Sequence, residues 1–323
     1  MIHRIGLDNE TFPDLSSYKV ILVDMNYIVW RSSGAHASLS SPTGDPTQII
    51  FISLKTISKL LQFSHGSVNL LLVWDSPKSW RKVCSAKYKS DREGMDSGDW
   101  DQVLQLRTLL SQIGIYQVMT EGYEGDDWLA YANAMSSEPT LIVTGDRDLF
   151  QLVSDKKPTH LLYSGGDLKN QIIDEQMASQ LFIHPSLVTS YKTLVGDAGD
   201  CVSGVRGIGD VYGRKLIQEY GRVDDWLFGD NIPNLEDAPP DLKRPLKLVF
   251  DRKSDAIFSH LLVNLEQDMS PDAYDILNEY PSCYPDLSSA KVTLSNLGIE
   301  EDVTIERLFN HAFGANLCLL KLE

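Results

Sequence analysis

Three apolar runs in the first half of the chain each give way to an aspartate. Val20-Ile21-Leu22-Val23 runs into Asp24, Val68 to Trp74 into Asp75, and Leu141-Ile142-Val143-Thr144-Gly145 into Asp146. The runs are nearly continuous rather than alternating, as strands of a parallel sheet covered on both faces must be. Between them the spacing turns helical. Gln48 to Phe63 places Ile49, Ile50, Leu54, Ile57, Leu60 and Leu61 on one stripe, and Trp100 to Ile113 does so with Val103, Leu104, Leu106, Leu109, Leu110 and Ile113. Strands alternating with helices predict an α/β fold with a mainly parallel central sheet flanked by helices. In such a sheet ligands gather beyond the carboxyl ends of the strands, where Asp24, Asp75 and Asp146 would project.

From about Phe182 onward the pattern is helical with Gly-rich turns, notably Gly204-Val205-Arg206-Gly207-Ile208-Gly209 leading into a helix over Val211 to Tyr220. The stretch 229–244, rich in Pro, Asp and Asn, reads as a loop, and Lys247 to Leu265 as a further helix. The expected division is an α/β domain over 1–180 and a helical lobe over 181–323, whose Gly-rich turn and helices occupy about 194–220. A second lobe also follows from length, because single cores stop growing near about 250 to 300 residues and this chain has 323. With 42% hydrophobic and 23% charged residues, disorder of the whole chain is excluded.

Charge changes the picture more than composition does. Lys plus Arg is 29 against 45 for Asp plus Glu, a net charge of −16, which by itself argues against a polyanionic partner. Yet Lys78, Arg81, Lys82, Lys87, Lys89 and Arg92 crowd into one short strip, within a basic segment at about 76–100. Cys84, Cys201, Cys283 and Cys318 include no CxxC pair, and no histidine pair completes a zinc spacing, so a zinc site and a disulfide scaffold both drop out. The seven histidines (His3, His36, His65, His160, His184, His260 and His311) form no catalytic pattern. The N-terminus lacks a basic segment followed by an apolar run, and no apolar stretch approaches about 20 residues. The expectation is a reduced, soluble, intracellular protein.

Carboxylates are the strongest signal. Glu124, Asp126 and Asp127 open a helix, Asp146 and Asp148 follow a strand in one turn, and Asp197 and Asp200 stand three apart in GDAGD. With Asp24 and Asp75 this makes nine acids at strand ends and helix starts. A lone Asp at a helix start is ordinarily a cap, but five clusters at equivalent positions are more than capping explains. So many carboxylates in one place would push each other's pKa upward unless a cation neutralises them. Oxygen-only ligation favours Mg²⁺ or Mn²⁺, and two such ions roughly 4 Å apart suit phosphodiester hydrolysis.

In combination these motifs resemble the structure-specific 5′-nuclease family: flap endonucleases, the 5′-nuclease domain of bacterial DNA polymerase I, and bacteriophage 5′-exonucleases and ribonucleases H. The elements that carry the resemblance are VDMNYIVWR, VWDSPKSWRK, YKSDR, GYEGDDWLA, TGDRDLFQLV and LVGDAGDCVSGVRGIG, in that order, from about Val20 to Tyr220. A stand-alone chain with the WRK element is most similar to the phage-type enzymes, which implies a bacterial or phage-infected cytoplasm and a monomer. The resemblance implies a PIN-like, Rossmann-like nuclease domain with a helix-three-turn-helix lobe. It implies Mg²⁺-dependent 5′→3′ exonuclease or flap endonuclease action on DNA 5′ ends, flaps and RNA primers on DNA, in replication or repair beside replication proteins.

By the same resemblance Asp24, Asp75, Glu124, Asp126, Asp127 and Asp146 would surround the first metal, and Asp148, Asp197 and Asp200 the second, with Asp146 near both. Lys89 and Arg92 match catalytic cations of an arch over the site. Arg81 and Lys82 would contact DNA, and Arg31 would hold the 5′ side or form a structural ion pair. Trp80 and Tyr88 would either stack on unpaired bases or pack the arch's own core. Gly204, Arg206, Gly207, Gly209, Arg214 and Lys215 would meet duplex phosphates, and the turn would hold K⁺ through backbone carbonyls. Cys201 stands where the family commonly has Asn, which bears on a hydrogen bond beside Asp200. A PIN-like ribonuclease lacks the GVRGIG lobe, a non-catalytic binding protein does not need the full acid set, and an Asp-nucleophile phosphatase would place a second Asp two residues after Asp24, where Asn26 stands.

Overall fold

The computed structural model describes residues 11–34, 39–65, 68–92, 94–266, 269–270, 272–278, 285–300 and 302–314. Its sheet consists of β1 (Val20–Asp24), β2 (Asn69–Val73), β3 (Gln117–Val118), β4 (Thr140–Thr144), β5 (Thr159–Tyr163) and β6 (Gln171–Ile173), in the order β3-β2-β1-β4-β5-β6. Every pairing is parallel except β5 with β6. The expected α/β class holds, and the apolar runs are its three central strands. Val20 pairs with both Asn69 and Thr140, so β1, β2 and β4 end level with one another.

Alternation along β1 assigns its side chains to two cores. Ile21 and Val23 pack among α1 (Met25–Ser33), α2 (Gln48–Phe63) and, beyond the short α3 (Trp80–Cys84), α4 (Ser97–Ile113). Val20 and Leu22 pack on the other face, against Trp128 and Leu129 of α5 (Gly125–Met135) and against Leu149 and Phe150 of a 3-10 turn. The amphipathic stripes read from sequence are these buried faces, and each fully buried Leu, Ile or Phe contributes about 1.5–3 kcal/mol.

After α6 (Glu175–Leu181), the helical lobe is built from α7 (Val188–Val195), α8 (Asp210–Tyr220), α9 (Lys243–Asp251) and α10 (Lys253–Val263), around Leu194, Leu216, Trp226 and Leu246. The single helix expected over Lys247 to Leu265 is therefore two, broken at Arg252, whose backbone leaves helical geometry (φ −121°, ψ 33°). The expected division at 180/181 also needs correction. α11 (Asp272–Asn278) adds Ala273 and Leu277 to the second core of the sheet. Then α12 (Leu287–Asn296) and α13 (Val303–Gly314) return to the first core through Ala290, Leu294, Ile305 and Leu308. Among the described residues, no helix is long and apolar enough to cross a membrane.

Candidate active site

Because β1, β2 and β4 stop at one edge, Asp24, Asp75 and Asp146 emerge together, and the first turn of α5 adds Asp126. These four line one cavity of about 330 Å³, shared with Asn26, Tyr27, Trp30, Lys89, Arg92 and Gly145. Neutral donors position the three at the strand ends. Asp24 caps α1 by accepting from the Tyr27 N–H (3.0 Å) and takes the Thr144 hydroxyl on its other oxygen (2.9 Å). Asp75 accepts from the Gly125 N–H (2.7 Å), and Asp146 from the Asp148 N–H (2.8 Å). Gly145 is required here, since a Cβ would stand 2.4 Å from the Tyr27 ring and 2.9 Å from the Ser164 carbonyl.

The electrostatics of this group are unfavourable as they stand. Burial pushes the Asp24 carboxyl up to about 7, and the charges of Asp75 and Asp146 add to that. Burial likewise holds Asp126 well above the usual range, with Asp146, Asp24 and Asp75 crowding it. Asp75 reaches solvent, yet the cleft walls deprive it of water and raise it in spite of nearby Lys89.

Glu124 and Asp127 meet a different environment. The Arg81 guanidinium is 1% exposed and grips both Asp127 oxygens (2.8 and 2.9 Å) and Glu124 Oε2 (3.2 Å), while its Nε donates to the Leu262 carbonyl (2.9 Å). The Glu124 N–H donates to Asp127 Oδ2 (2.9 Å). Two expectations are corrected by this geometry. Asp127 has spent both oxygens within the protein and turns away from the cavity, and Arg81 is a buried clamp rather than a DNA contact. The spacing that joins Glu124 to Asp127 thus serves Arg81, while Asp126 faces the other acids.

Tyr88 is corrected in the same way. It is 4% exposed, packs against Val202, Leu262 and Val263, and places its hydroxyl 3.0 Å from Glu124 Oε2 and 3.1 Å from Asp200 Oδ2. Of the two uses open to it, core packing is realised, and no face is left for a base. Trp80 is half-buried, with its ring over Arg81 at 4.5 Å. Lys89 reaches Glu124 Oε1 (3.0 Å) with its backbone left-handed (φ 52°), a conformation fixed by its N–H bond to the Asp200 carbonyl (3.0 Å). Burial alone would lower the Lys89 pKa, but Glu124, Asp126 and Asp200 outweigh it and keep the ammonium charged. Burial also pushes Glu124 up, and Lys89 and Arg81 reverse that to a net fall. Arg92, half-exposed, pairs with Asp200, and Lys82 is exposed.

Asp148 and Asp197 face each other across Lys192 of α7, whose ammonium contacts both. Burial pushes Asp148 up to about 7, with Asp146 adding to it against Lys192. Asp197 is also pushed up by burial, but Lys192 and the Gly199 and Asp200 N–H groups bring it below the usual range. Sequence reasoning missed two residues. Lys192 stands in the otherwise apolar and uncharged run YKTLV, a signal of burial, and Trp30 lies 52% exposed at the rim of the acidic cavity within a motif read only for its ends. Among the described residues, no three acidic, imidazole or thiol groups meet at metal-ligand spacing.

Downstream, the Gly-rich turn folds back on α7. Asp197 and Val202 exchange backbone bonds (2.8 Å each), and Gly204 (φ 63°) crosses so close to Gly196 that a Cβ would lie 2.4 Å from its nitrogen. Gly209 then caps α8, and Gly207 is exposed at φ 97°. Arg206 is exposed and Lys215 half-exposed on Asp241. Arg214 is committed within the protein, to Asp210 (2.7 Å) and the Phe182 carbonyl (2.9 Å), with the Tyr191 ring below it. Cys201 is left-handed (φ 57°), so its departure from Asn concerns backbone conformation, which Asn adopts at lower cost. Arg31 is half-buried on α1, and burial lowers its pKa. Cys84 and Cys201 are free thiols; Cys283, Cys318, His3 and His36 lie outside the described residues. None of the described histidines lines the acidic cavity.

Residues 19–182 match the family described as 5′-3′ exonuclease, N-terminal resolvase-like domain. The chain is 27% identical over 256 residues to a 5′-3′ exonuclease of Buchnera aphidicola subsp. Schizaphis graminum, covering 77% of this chain and 87% of that one. It is 29% identical over 223 residues to the thermostable DNA polymerase I of Thermus aquaticus, covering 68% of this chain and 26% of that one, so it spans about a quarter of the polymerase's length. Among solved structures it is similar to the flap endonuclease of bacteriophage T5 in complex with DNA and metal ions (TM-score 0.58, 16% identity, 91% of this chain and 98% of that one). It is also similar to flap endonuclease-1 from Methanococcus jannaschii (TM-score 0.54, 15% identity, 95% and 96%). At these identities the structural likeness speaks for the fold.

Proposed function

Since this chain belongs to the 5′-3′ exonuclease family, we propose that it is a divalent-metal nuclease that hydrolyses phosphodiester bonds near the 5′ ends, flaps or RNA primers of duplex nucleic acid. The observation that carries the reading is the convergence of Asp24, Asp75, Asp126 and Asp146 on one cavity that also holds Lys89 and Arg92. Four carboxylates, three of them with pKa values raised by burial, form an oxygen-only donor set, which fits a hard cation such as Mg²⁺, or Mn²⁺ in its place. Those four would hold the first ion, and Asp148, Asp197 and Asp200 the second, whereas Glu124, like Asp127, has both oxygens engaged within the protein, by Lys89, Arg81 and Tyr88. When bound, such ions supply positive charge to the phosphate and lower the pKa of an attacking water.

The chain's own residues do the rest. The Thr144 hydroxyl and the Tyr27 N–H of α1 orient Asp24 toward the cavity. Lys89, permanently protonated, and Arg92 offer a point charge and a forked donor to non-bridging phosphate oxygens, so they bind and neutralise the phosphate rather than move protons. Exposed Arg206 and half-exposed Lys215 on the Gly-rich turn and α8 would meet duplex phosphates, with backbone carbonyls of the turn available to a K⁺ ion. Such contacts carry no sequence information, and binding weakens with salt.

The test is cleavage of a 5′-labelled flap duplex and a matching RNA-primed duplex with Mg²⁺ or EDTA, beside Asp146→Asn. Metal-dependent cutting near the junction, lost in the variant, is expected. Intact binding without cutting by any divalent ion would leave a non-catalytic nucleic-acid-binding protein.

A further inference from the structure

The second acidic cluster already contains a cation, and it belongs to the protein. Lys192 lies on α7, its side chain 8% exposed, with Nζ in contact with Asp148 Oδ1 and Asp197 Oδ2. Two carboxylate oxygens that share one ammonium nitrogen are close enough to share a metal ion, so the two cations compete for one volume. Around Asp24, Asp75 and Asp146, by contrast, the hydrogen-bond donors described above are backbone N–H groups and the Thr144 hydroxyl, and the cavity's own cations, Lys89 and Arg92, are paired with Glu124 and Asp200.

Resting on the metal-nuclease reading, we propose that Lys192 is a resident counter-ion of the second carboxylate cluster, which a divalent ion must displace. The second ion consequently binds more weakly than the first. Lysine suits this use, being a compact charge on a flexible stem that can swing out, whereas an arginine fork would lock the pair. The cluster also keeps its shape when the ammonium leaves. Asp197 Oδ1 is fixed independently by the Gly199 N–H (2.8 Å) and the Asp200 N–H (3.3 Å), and the backbone of Asp148 is tied to Asp146 (2.8 Å). An arriving phosphate offers the freed ammonium a new partner, which couples entry of the second ion to substrate.

Mn²⁺ binding to the full chain, followed by the paramagnetic resonance of free Mn²⁺, tests this without reference to cleavage. The unaltered chain should show one tighter and one weaker class. Lys192→Met, matched in length and uncharged, should tighten the weaker class at least ~10-fold and leave the tighter class unchanged. An unchanged or weakened second class in a folded Lys192→Met chain overturns the inference. Lys192→Arg, which keeps the charge, should leave the second class as weak or weaker, and tightening there overturns it as well. If the unaltered chain binds no Mn²⁺ at all, the metal-dependent reading fails and takes this inference with it.

Discussion

The acids that line the cavity and the acids beneath the segment 79–92 are one residue type in one cleft, but their neighbours give them different work. Asp24, Asp75 and Asp146 rest on backbone N–H groups and a threonine, and burial raises Asp24, Asp75 and Asp126. Glu124 and Asp127 rest on a buried arginine, and Glu124 is pulled down by Lys89 and Arg81 against the effect of burial. A carboxylate left short of positive charge retains its capacity for a cation, whereas one gripped bidentately by Arg81 is part of the framework. Asp126 and Asp127, adjacent in the same helical turn, fall on opposite sides of this division.

The division is broken or sharpened first at that pair. Asp126→Asn should lower Mg²⁺-dependent cleavage on the order of 10³-fold while thermal stability holds or rises. Asp127→Asn should instead lower the melting temperature and leave Mn²⁺ affinity intact. Loss of Mn²⁺ binding in Asp127→Asn at an unchanged melting temperature would erase the distinction. Next in size is the clamp. Arg81→Met strands two buried carboxylates and should cost about 3–5 kcal/mol, read by denaturant unfolding, whereas exposed Lys82→Ala next to it should stay within about 0.5 kcal/mol.

The smallest effect is that of pH on the metal-free chain. Asp24, held up to about 7 against an ordinary 3.8, keeps its proton in the folded state where the unfolded chain has lost it. The unfolded state therefore binds fewer protons between about pH 4 and 7, and stability falls as pH rises through that window. The melting temperature at pH 5 should exceed that at pH 8 by on the order of 5 °C, and Asp24→Asn should reduce the difference, with Asp75, Asp126 and Asp148, which are also raised, supplying the remainder. A rise in stability toward pH 8 would mean that the clamped acids, not those of the cavity, set the balance.

Much of this cleft was legible in sequence because strand periodicity and parallel topology place strand-end residues at a common edge without further information. The split between Asp126 and Asp127 was not legible, since it depends on where Arg81, 46 residues away from Asp127, lodges its side chain. Arg81 and Tyr88 read as DNA contacts because a basic, aromatic strip looks alike whether it faces solvent or a buried acid. Lys192 was hidden for a related reason: the apolar run around it signals burial but does not say that its partner would be Asp148, 44 residues away. The return of α12 and α13 to the sheet rests on packing between segments distant in the chain, which no local pattern encodes.

The Arg81 clamp has a bearing on biosynthesis. Its guanidinium closes on the carbonyl of Leu262, 181 residues later in the chain. Chains emerge from the ribosome N-terminus first, and their early segments fold as they appear. The strands, the four cavity acids and the Arg81 bonds to Glu124 and Asp127 all lie in chain made before α10, but the carbonyl that anchors the clamp arrives only when residue 262 has been released. The nascent protein carries an unfinished cleft through most of its own translation, and the last part of the site to be secured is held by one of the helices made late.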